Sequence, residues 1–175
     1  ASFKKKNDSL EVSLKSPYGV TEFTLGTISR YLVSNVICSL AALSIEGIEL
    51  DKLAECASHI SFPSGRLESI PIGKDICYVD YAHTPEALKT ALKEIRNFHE
   101  GEVWCVFGCG GNRDKEKRHI MGEIAENYSD HVIITDDNPR NEASSKIIND
   151  ILEGTTKSTN IKTISNRKEA IKFTL

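Results

Sequence analysis

Short apolar runs alternate with helical segments from about residue 65 onward, and this alternation constrains the fold more than any other feature. Strands are predicted at 67–72 and 75–80, around a turn at Gly73-Lys74, and at 102–107, 131–135 and 161–164. Between residues 107 and 131, Ile120, Met121 and Ile124 mark the predicted buried face of a helix. Alternating strands and helices of this length predict an α/β fold, with a Rossmann-like, mostly parallel sheet and helices on both faces.

The region before this alternation predicts a smaller set of elements. They are strands at 10–15 and 19–25, joined as a hairpin, and helices at about 28–43 and 50–59. The first helix has an apolar stripe formed by Leu32, Val36, Leu40 and Leu43. Because these elements are too few for a complete core, we interpret residues 1–64 as the end of a larger domain. Residues 65–175 form the second predicted domain.

The composition excludes several classes of protein. The net charge is −3, and no basic stripe favours nucleic acid as a partner. No apolar run approaches the roughly 18 residues of a membrane span, so no membrane insertion is expected. The five cysteines are odd in number and form no CxxC pair, which favours reduced thiols in the cytoplasm. Residue 1 is not Met and the chain stops within a helical pattern, so we expect a fragment.

Polar clusters follow three of the predicted strands, at 80–85, 108–114 and 135–140. In a parallel sheet these ends share one edge, where ligands bind, so we expect the clusters to converge. In the third cluster, Pro139 stiffens the loop. The planar guanidinium of Arg140 can bind a carboxylate through two hydrogen bonds, and the carboxylate of Asp137 can pair with an ammonium. Together they predict a site for a zwitterion such as an amino acid. The alternative is an ordinary turn with solvated charges.

The second cluster contains Gly108, Gly110 and Gly111, which we expect to let the backbone approach a ligand before a helix N-terminus. Arg113 interrupts the GxGxxG pattern and disfavours NAD. Three basic residues, Lys115, Lys117 and Arg118, crowd the start of the next helix. This cluster is interpreted either as an anion site or as a solvated face.

Two further groups of residues have weaker signals. His83 is either a general base or, the reading we favour, a residue that hydrogen-bonds locally beside the helix N-cap predicted at Thr84, before Pro85. Cys105 and Cys109 have His99 and His119 nearby, but their spacing is wrong for structural zinc.

Three motifs, in this order and spacing, resemble those of the Mur ligases of peptidoglycan synthesis. They are Asp80–Pro85, Phe107–Lys115 and Asp137–Arg140. The pattern is most similar to the branch that adds the third peptide residue. The resemblance implies that residues 1–64 are the C-terminal part of a central ATP-binding domain. It likewise implies that residues 65–175 are a ligase C-terminal domain, truncated at its end.

The resemblance also implies a reaction, carried out by a monomeric cytoplasmic enzyme with ATP and Mg²⁺ as cofactors. ATP phosphorylates the D-Glu γ-carboxylate of UDP-MurNAc-L-Ala-D-Glu, and the amine of meso-diaminopimelate then attacks the acyl phosphate. The family's uridine-binding domain, phosphate loop and modified lysine are missing from this sequence. We therefore expect the 175-residue chain to be inactive alone.

The resemblance assigns residues to two ligands. The residues implied for meso-diaminopimelate are Arg113, Asp137, Asn138, Pro139 and Arg140, with Arg140 pairing with the distal carboxylate. Those implied for ATP are Asn35 at the adenine, Arg66 at a phosphate and Asp80 near the ribose. Two alternatives stay open: another Mur-type ligase, either lysine-adding or similar to folylpolyglutamate synthetase, or a non-catalytic domain that binds an amino acid or nucleotide.

Overall fold

The computed structural model describes residues 1–156 and 158–175, and it divides into two compact units, Ala1–Tyr81 and Ala82–Leu175. The division into units does not test the domain boundary expected between residues 64 and 65, which stays a prediction.

The first unit begins with a three-stranded antiparallel sheet followed by two helices. Its elements are β1 (Ser2–Lys6), β2 (Ser9–Ser16), β3 (Gly19–Leu25), α1 (Arg30–Ile45) and α2 (Leu50–Ala57). The predicted hairpin is confirmed as the β2–β3 pair. Its alternating pattern buries Leu10, Val12 and Leu14 on one face. Strand β1 was not predicted, because this edge strand is largely a run of exposed lysines without apolar alternation.

Helix α1 begins at an N-cap, Ser29, whose hydroxyl accepts a hydrogen bond from the Leu32 amide at 3.4 Å. Its apolar stripe is buried at Leu32, Val36 and Leu40, but the last member, Leu43, is 41% exposed. Ser44 is buried in that last turn instead, because the buried row continues at intervals of four residues from Leu32.

Two further strands of the first unit form their own small sheet. β4 (Glu68–Ile72) and β5 (Asp75–Val79) pair antiparallel around a turn at Gly73, where φ is +61°. The strands were predicted, but the expectation that they extend the parallel sheet was wrong: among the described residues they pair only with each other. A shared sheet edge therefore does not bring the 80–85 cluster to the other two clusters.

The second unit contains the predicted parallel sheet, whose strands are in the order β6-β7-β8. Its elements are α3 (Pro85–Phe98), β6 (Trp104–Phe107), α4 (Glu116–Tyr128), β7 (His131–Ile134), α5 (Ser144–Leu152), β8 (Ile161–Thr163) and α6 (Arg167–Thr174). One core joins strand residues such as Cys105 and Ile134 to α3, α4 and α5. Phe173 of α6 lies near Trp104 on the other face, so helices cover both faces.

The buried face of α4 differs from its prediction. Met121 is buried, but Ile120 is 38% exposed and Arg118 is fully buried. The inward row is Arg118, Met121, Gly122 and Ala125. Ile120 lies off this row, and Arg118 can lie within it because acidic partners surround its guanidinium.

Within the described ranges, no helix has the length and apolar character needed to cross a membrane.

Candidate functional site

Two loops meet at the carboxyl edge of the parallel sheet. We call residues 108–115, which follow β6, the glycine loop, and residues 135–143, which follow β7, the arginine loop. The two strands are adjacent, with Phe107 opposite Ile134. The Thr135 amide donates to the Phe107 carbonyl at 2.9 Å, so the loops leave the sheet side by side. Two of the three clusters expected at this edge therefore do come together.

Glycines in the glycine loop allow this close contact, because a side chain at these positions would clash with the arginine loop. A Cβ on Gly108 would lie 2.1 Å from the Thr135 carbonyl oxygen, and one on Gly111 would lie 1.9 Å from that of Pro139. On Gly110, the nearest atom would be Nη1 of Arg140, at 2.9 Å. The expectation that these glycines make room for a ligand was therefore wrong for Gly108 and Gly111, which make room for the arginine loop.

Hydrogen bonds hold the glycine and arginine loops together. The Gly111 amide donates to the Asn138 carbonyl at 2.8 Å. In the opposite direction, Arg140 Nη1 donates to the Gly111 carbonyl, also at 2.8 Å. The Asn141 amide donates to the side-chain oxygen of Asn112 at 3.1 Å. Because these bonds lie on either side of Arg140, they fix the two loops against each other. We call the surface formed by residues 108–115 and 135–143 the ledge.

Arg140 is held with part of its guanidinium open. Its φ is +50°, a conformation that costs a non-glycine residue roughly 1–3 kcal/mol and that its surroundings must enforce. Nη1 is bound to Gly111 and lies 3.5 Å from the Asn138 carbonyl. Among the described residues, Nη2 and Nε of this exposed side chain have no acceptor, so they can form a two-pronged contact with a carboxylate.

The other residues predicted for this site lie on the same two loops. Arg113 is exposed on the glycine loop, and Asp137 and Asn138 are exposed on the arginine loop. Pro139 is half-buried against Gly111. The ledge thus presents two guanidinium groups, a carboxylate and an amide, a set that matches an amino acid with more than one charged end.

The sequence placed Arg118 in a basic cluster at the start of α4 but did not indicate its partners. Arg118 is fully buried, and its guanidinium donates to both oxygens of Glu142 at 3.0 and 3.1 Å. It also donates to Asp150 at 2.7 Å and to the Gly110 carbonyl at 3.2 Å. We call Arg118, Glu142 and Asp150 the arginine clip. Residues 24 and 32 positions apart leave no local pattern, so no sequence signal identifies this cluster.

Of the three basic residues at the start of α4, Arg118 is neither a free anion site nor part of a solvated face, whereas Lys115 is exposed. Arg118 is engaged in the arginine clip, and Lys115 lies 4.0 Å from Glu142. Lys117 donates to the His83 carbonyl at 2.7 Å, which ties part of the 80–85 cluster to the start of α4. Contact with Arg118 and with the Asn112 amide lowers the pKa of Glu142 to about 2, so this carboxylate is charged at neutral pH.

The residues predicted for ATP all lie in the first unit. Asn35 is exposed on α1. The Arg66 guanidinium lies over the Tyr81 ring, 5.1 Å from its centroid. An Asp80 carboxylate oxygen accepts from the Leu67 amide at 2.9 Å, which fixes the loop that presents Arg66.

The described residues do not offer a metal cage. No three His, Cys, Asp or Glu side chains in the described ranges are grouped so as to hold an ion. Burial raises the pKa of Cys105 to about 12 and that of Cys109 to about 11, so both are neutral thiols near pH 7.

Comparison with known families agrees with this fold. The model of the "Mur ligase, glutamate ligase domain" family matches residues 65–175. The chain belongs to the Mur ligase family.

Among curated relatives, the chain is 43% identical over 170 residues to a UDP-N-acetylmuramoyl-L-alanyl-D-glutamate–2,6-diaminopimelate ligase from Buchnera aphidicola. It is 39% identical over 171 residues to the ligase of the same name from Prochlorococcus marinus. These matches cover 97% of this chain but 34% of each relative, so the chain spans about a third of their length.

Solved structures show the same fold. A diaminopimelate ligase structure matches with a TM-score of 0.67 at 33% identity, covering 99% of this chain and 36% of the other. A folylpolyglutamate synthase from Mycobacterium tuberculosis matches with a TM-score of 0.81 at 16% identity, covering 99% and 39%. At that identity the second likeness concerns the fold alone.

Proposed function

We propose that this chain is part of an ATP-dependent amide ligase that adds meso-diaminopimelate to UDP-MurNAc-L-Ala-D-Glu through an acyl phosphate, in peptidoglycan synthesis in the cytoplasm. The observation that supports this most is Arg140, held by Gly111 with Nη2 and Nε open, on the same loop as the exposed Asp137. The names of relatives 39–43% identical to the chain support the same reaction.

The ledge supplies a chemical reason to select diaminopimelate. This amino acid has two ammonium and two carboxylate groups, and the open edge of Arg140 suits the distal carboxylate. Asp137 suits the ammonium on the same carbon, and Arg113 and Asn138 supply further donors. Pro139 keeps the loop stiff, so little entropy is lost when the ligand is bound. Lysine has no distal carboxylate and would leave Arg140 unpaired.

The ATP assignment is a proposal for the first unit. Arg66, stacked on Tyr81, is a cation suited to a phosphate, and Asp80 and Asn35 supply polar groups for the ribose and adenine. The described residues have no cage for Mg²⁺, which would be held mainly by the nucleotide's phosphates and by residues outside this chain. The chain's share of its relatives' length supports the further proposal that it is inactive alone, as does the domain interpretation of residues 1–64 and 65–175.

Phosphate release by the full-length enzyme tests the proposed reaction. ATP, Mg²⁺, UDP-MurNAc-L-Ala-D-Glu and meso-diaminopimelate are supplied together and then omitted one at a time. We expect release only with the complete mixture. With L-lysine in place of diaminopimelate, kcat/KM should fall about 100-fold, since an unpaired charged partner costs about 2–5 kcal/mol.

Three results would contradict parts of the proposal. Preference for lysine would reassign the enzyme to a different Mur-type ligase. Release with a folate and glutamate would favour the folylpolyglutamate synthetase alternative, whose fold this chain shares. Binding of an amino acid without any phosphate release would favour the non-catalytic alternative.

A further inference from the structure

We infer that Arg118 and Glu142 are positioning residues that set the affinity for the amino-acid substrate by fixing Arg140 against the glycine loop. This inference rests on the proposed function. Arg118 is fully buried and Glu142 is mostly buried, so neither offers an open surface to a substrate. They act through the backbone that presents Arg140 and Arg113.

The first step of the argument is the position of the arginine clip between the two loops. Arg118 bonds to the glycine loop at the Gly110 carbonyl and to the arginine loop at Glu142. Glu142 in turn accepts from the Asn112 amide, so the clip closes a ring that includes both loops. Asp150 bonds to the same guanidinium and fixes it to α5.

The second step is the strain within that ring. Asn112 and Arg140 both have positive φ, +51° and +50°, although neither is glycine. Asn adopts this conformation readily, but Arg140 is stable there only where its surroundings enforce it. The clip contacts the residues next to both positions: the Asn112 amide binds Glu142, and Glu142 itself lies two residues after Arg140. The geometry of the guanidinium–carboxylate pair therefore sets where Arg140 projects.

The third step is geometric matching. The planar guanidinium of Arg118 binds Glu142 through two parallel hydrogen bonds and also binds Asp150 and the Gly110 carbonyl. A lysine ammonium cannot reproduce this geometry. Arg118→Lys keeps the buried charge but loses the two-pronged contact. A shift of about 1 Å at a substrate-positioning group costs up to roughly 100-fold, so a rise of about 10- to 100-fold in the KM for diaminopimelate is expected.

A matched control exists at the opposite edge of the same sheet. Arg96 binds Asp130 at 2.6 Å and the Gly101 carbonyl at 3.2 Å, close to the start of β6 and far along the strands from the ledge. Arg96→Lys makes the same chemical change at an ion pair that does not contact either loop. We expect every KM of this variant to stay within about twofold of the wild-type value, because a partly exposed ion pair contributes little free energy.

The experiment compares wild type, Arg118→Lys, Glu142→Gln and Arg96→Lys in the full-length enzyme, assayed well below each variant's unfolding temperature. The KM values for ATP, UDP-MurNAc-L-Ala-D-Glu and diaminopimelate are measured separately, together with the slow reaction with L-lysine. Positioning predicts a KM increase confined to diaminopimelate in the two clip variants. It also predicts a smaller preference for diaminopimelate over lysine, because lysine does not use Arg140.

Two results would overturn the inference. One is an unchanged KM for diaminopimelate in Arg118→Lys and Glu142→Gln. The other is an equal loss in all kinetic parameters, or a loss of stability alone, which would make the clip merely structural. If wild type instead uses a different amino acid, the proposed function fails, and the KM for that amino acid then tests the clip in the same way.

Discussion

Of the glycine-to-alanine substitutions in the glycine loop, Gly111→Ala is expected to disrupt the candidate site most. A Cβ at this position would lie 1.9 Å from the Pro139 carbonyl oxygen and 2.6 Å from its carbonyl carbon. Both atoms belong to backbone, so the loops must separate by about 1.5 Å to reach an ordinary contact. The separation stretches the two hydrogen bonds that join Gly111 to Asn138 and to Arg140.

The magnitude follows from these contacts. Overpacking of a well-packed site costs about 1–3 kcal/mol, and each weakened hydrogen bond adds roughly 1 kcal/mol. Displacing Arg140 by about 1 Å should raise the KM for diaminopimelate up to about 100-fold. Urea unfolding and steady-state kinetics on the full-length enzyme measure the two effects.

Gly101→Ala is the control for this variant. No atom lies within 4 Å of a Cβ at Gly101, and its φ is not in the left-handed region. The control should therefore match wild type in both measurements. If Gly111→Ala were also as stable as wild type and equally active with diaminopimelate, the close packing of the two loops would be refuted.

Two further predictions concern ionisation. Because the pKa of Glu142 is depressed to about 2 from an ordinary 4.5, its charge stabilises the fold above pH 4.5, and this contribution is lost as pH falls toward 2. The difference in unfolding free energy between wild type and Glu142→Gln should shrink across that window in urea titrations; a constant difference would contradict the ion pair. Burial raises the pKa values of Cys105 and Cys109 to about 12 and 11, so neither should react with iodoacetamide at pH 8 until the protein is unfolded. Mass spectrometry of alkylated peptides checks this, and rapid native labelling at either cysteine would refute it.

The sequence predicted the fold where local patterns determine it. The apolar runs that became β6 and β7 are short and continuous, as expected for neighbouring strands inside a parallel sheet. Thr84 followed by Pro85 predicted the start of α3, and the Thr84 hydroxyl does accept a bond from the Ala87 amide. Such signals lie within a few residues of the structure they specify.

The errors concern contacts between residues far apart in sequence. Periodicity placed Ile120 inward, but the charge-paired Arg118 occupies the buried row of α4. Gly111 signals a close approach without revealing that its partner is Pro139. The sequence pattern predicts β4 and β5 but does not show whether they join the larger sheet. In the structure they pair with each other around a tight turn at Gly73. The arginine clip belongs to the same class of long-range contact.

Discrimination between meso-diaminopimelate and L-lysine by Arg140→Ala tests the central claim most directly. The ratio of kcat/KM for the two amino acids is measured in the full-length enzyme, with Arg96→Ala as a control away from the ledge. We predict that wild type prefers diaminopimelate about 100-fold, that Arg96→Ala keeps this preference, and that Arg140→Ala loses most of it. An undiminished preference in Arg140→Ala would show that the arginine loop does not recognise the distal carboxylate and would contradict the account.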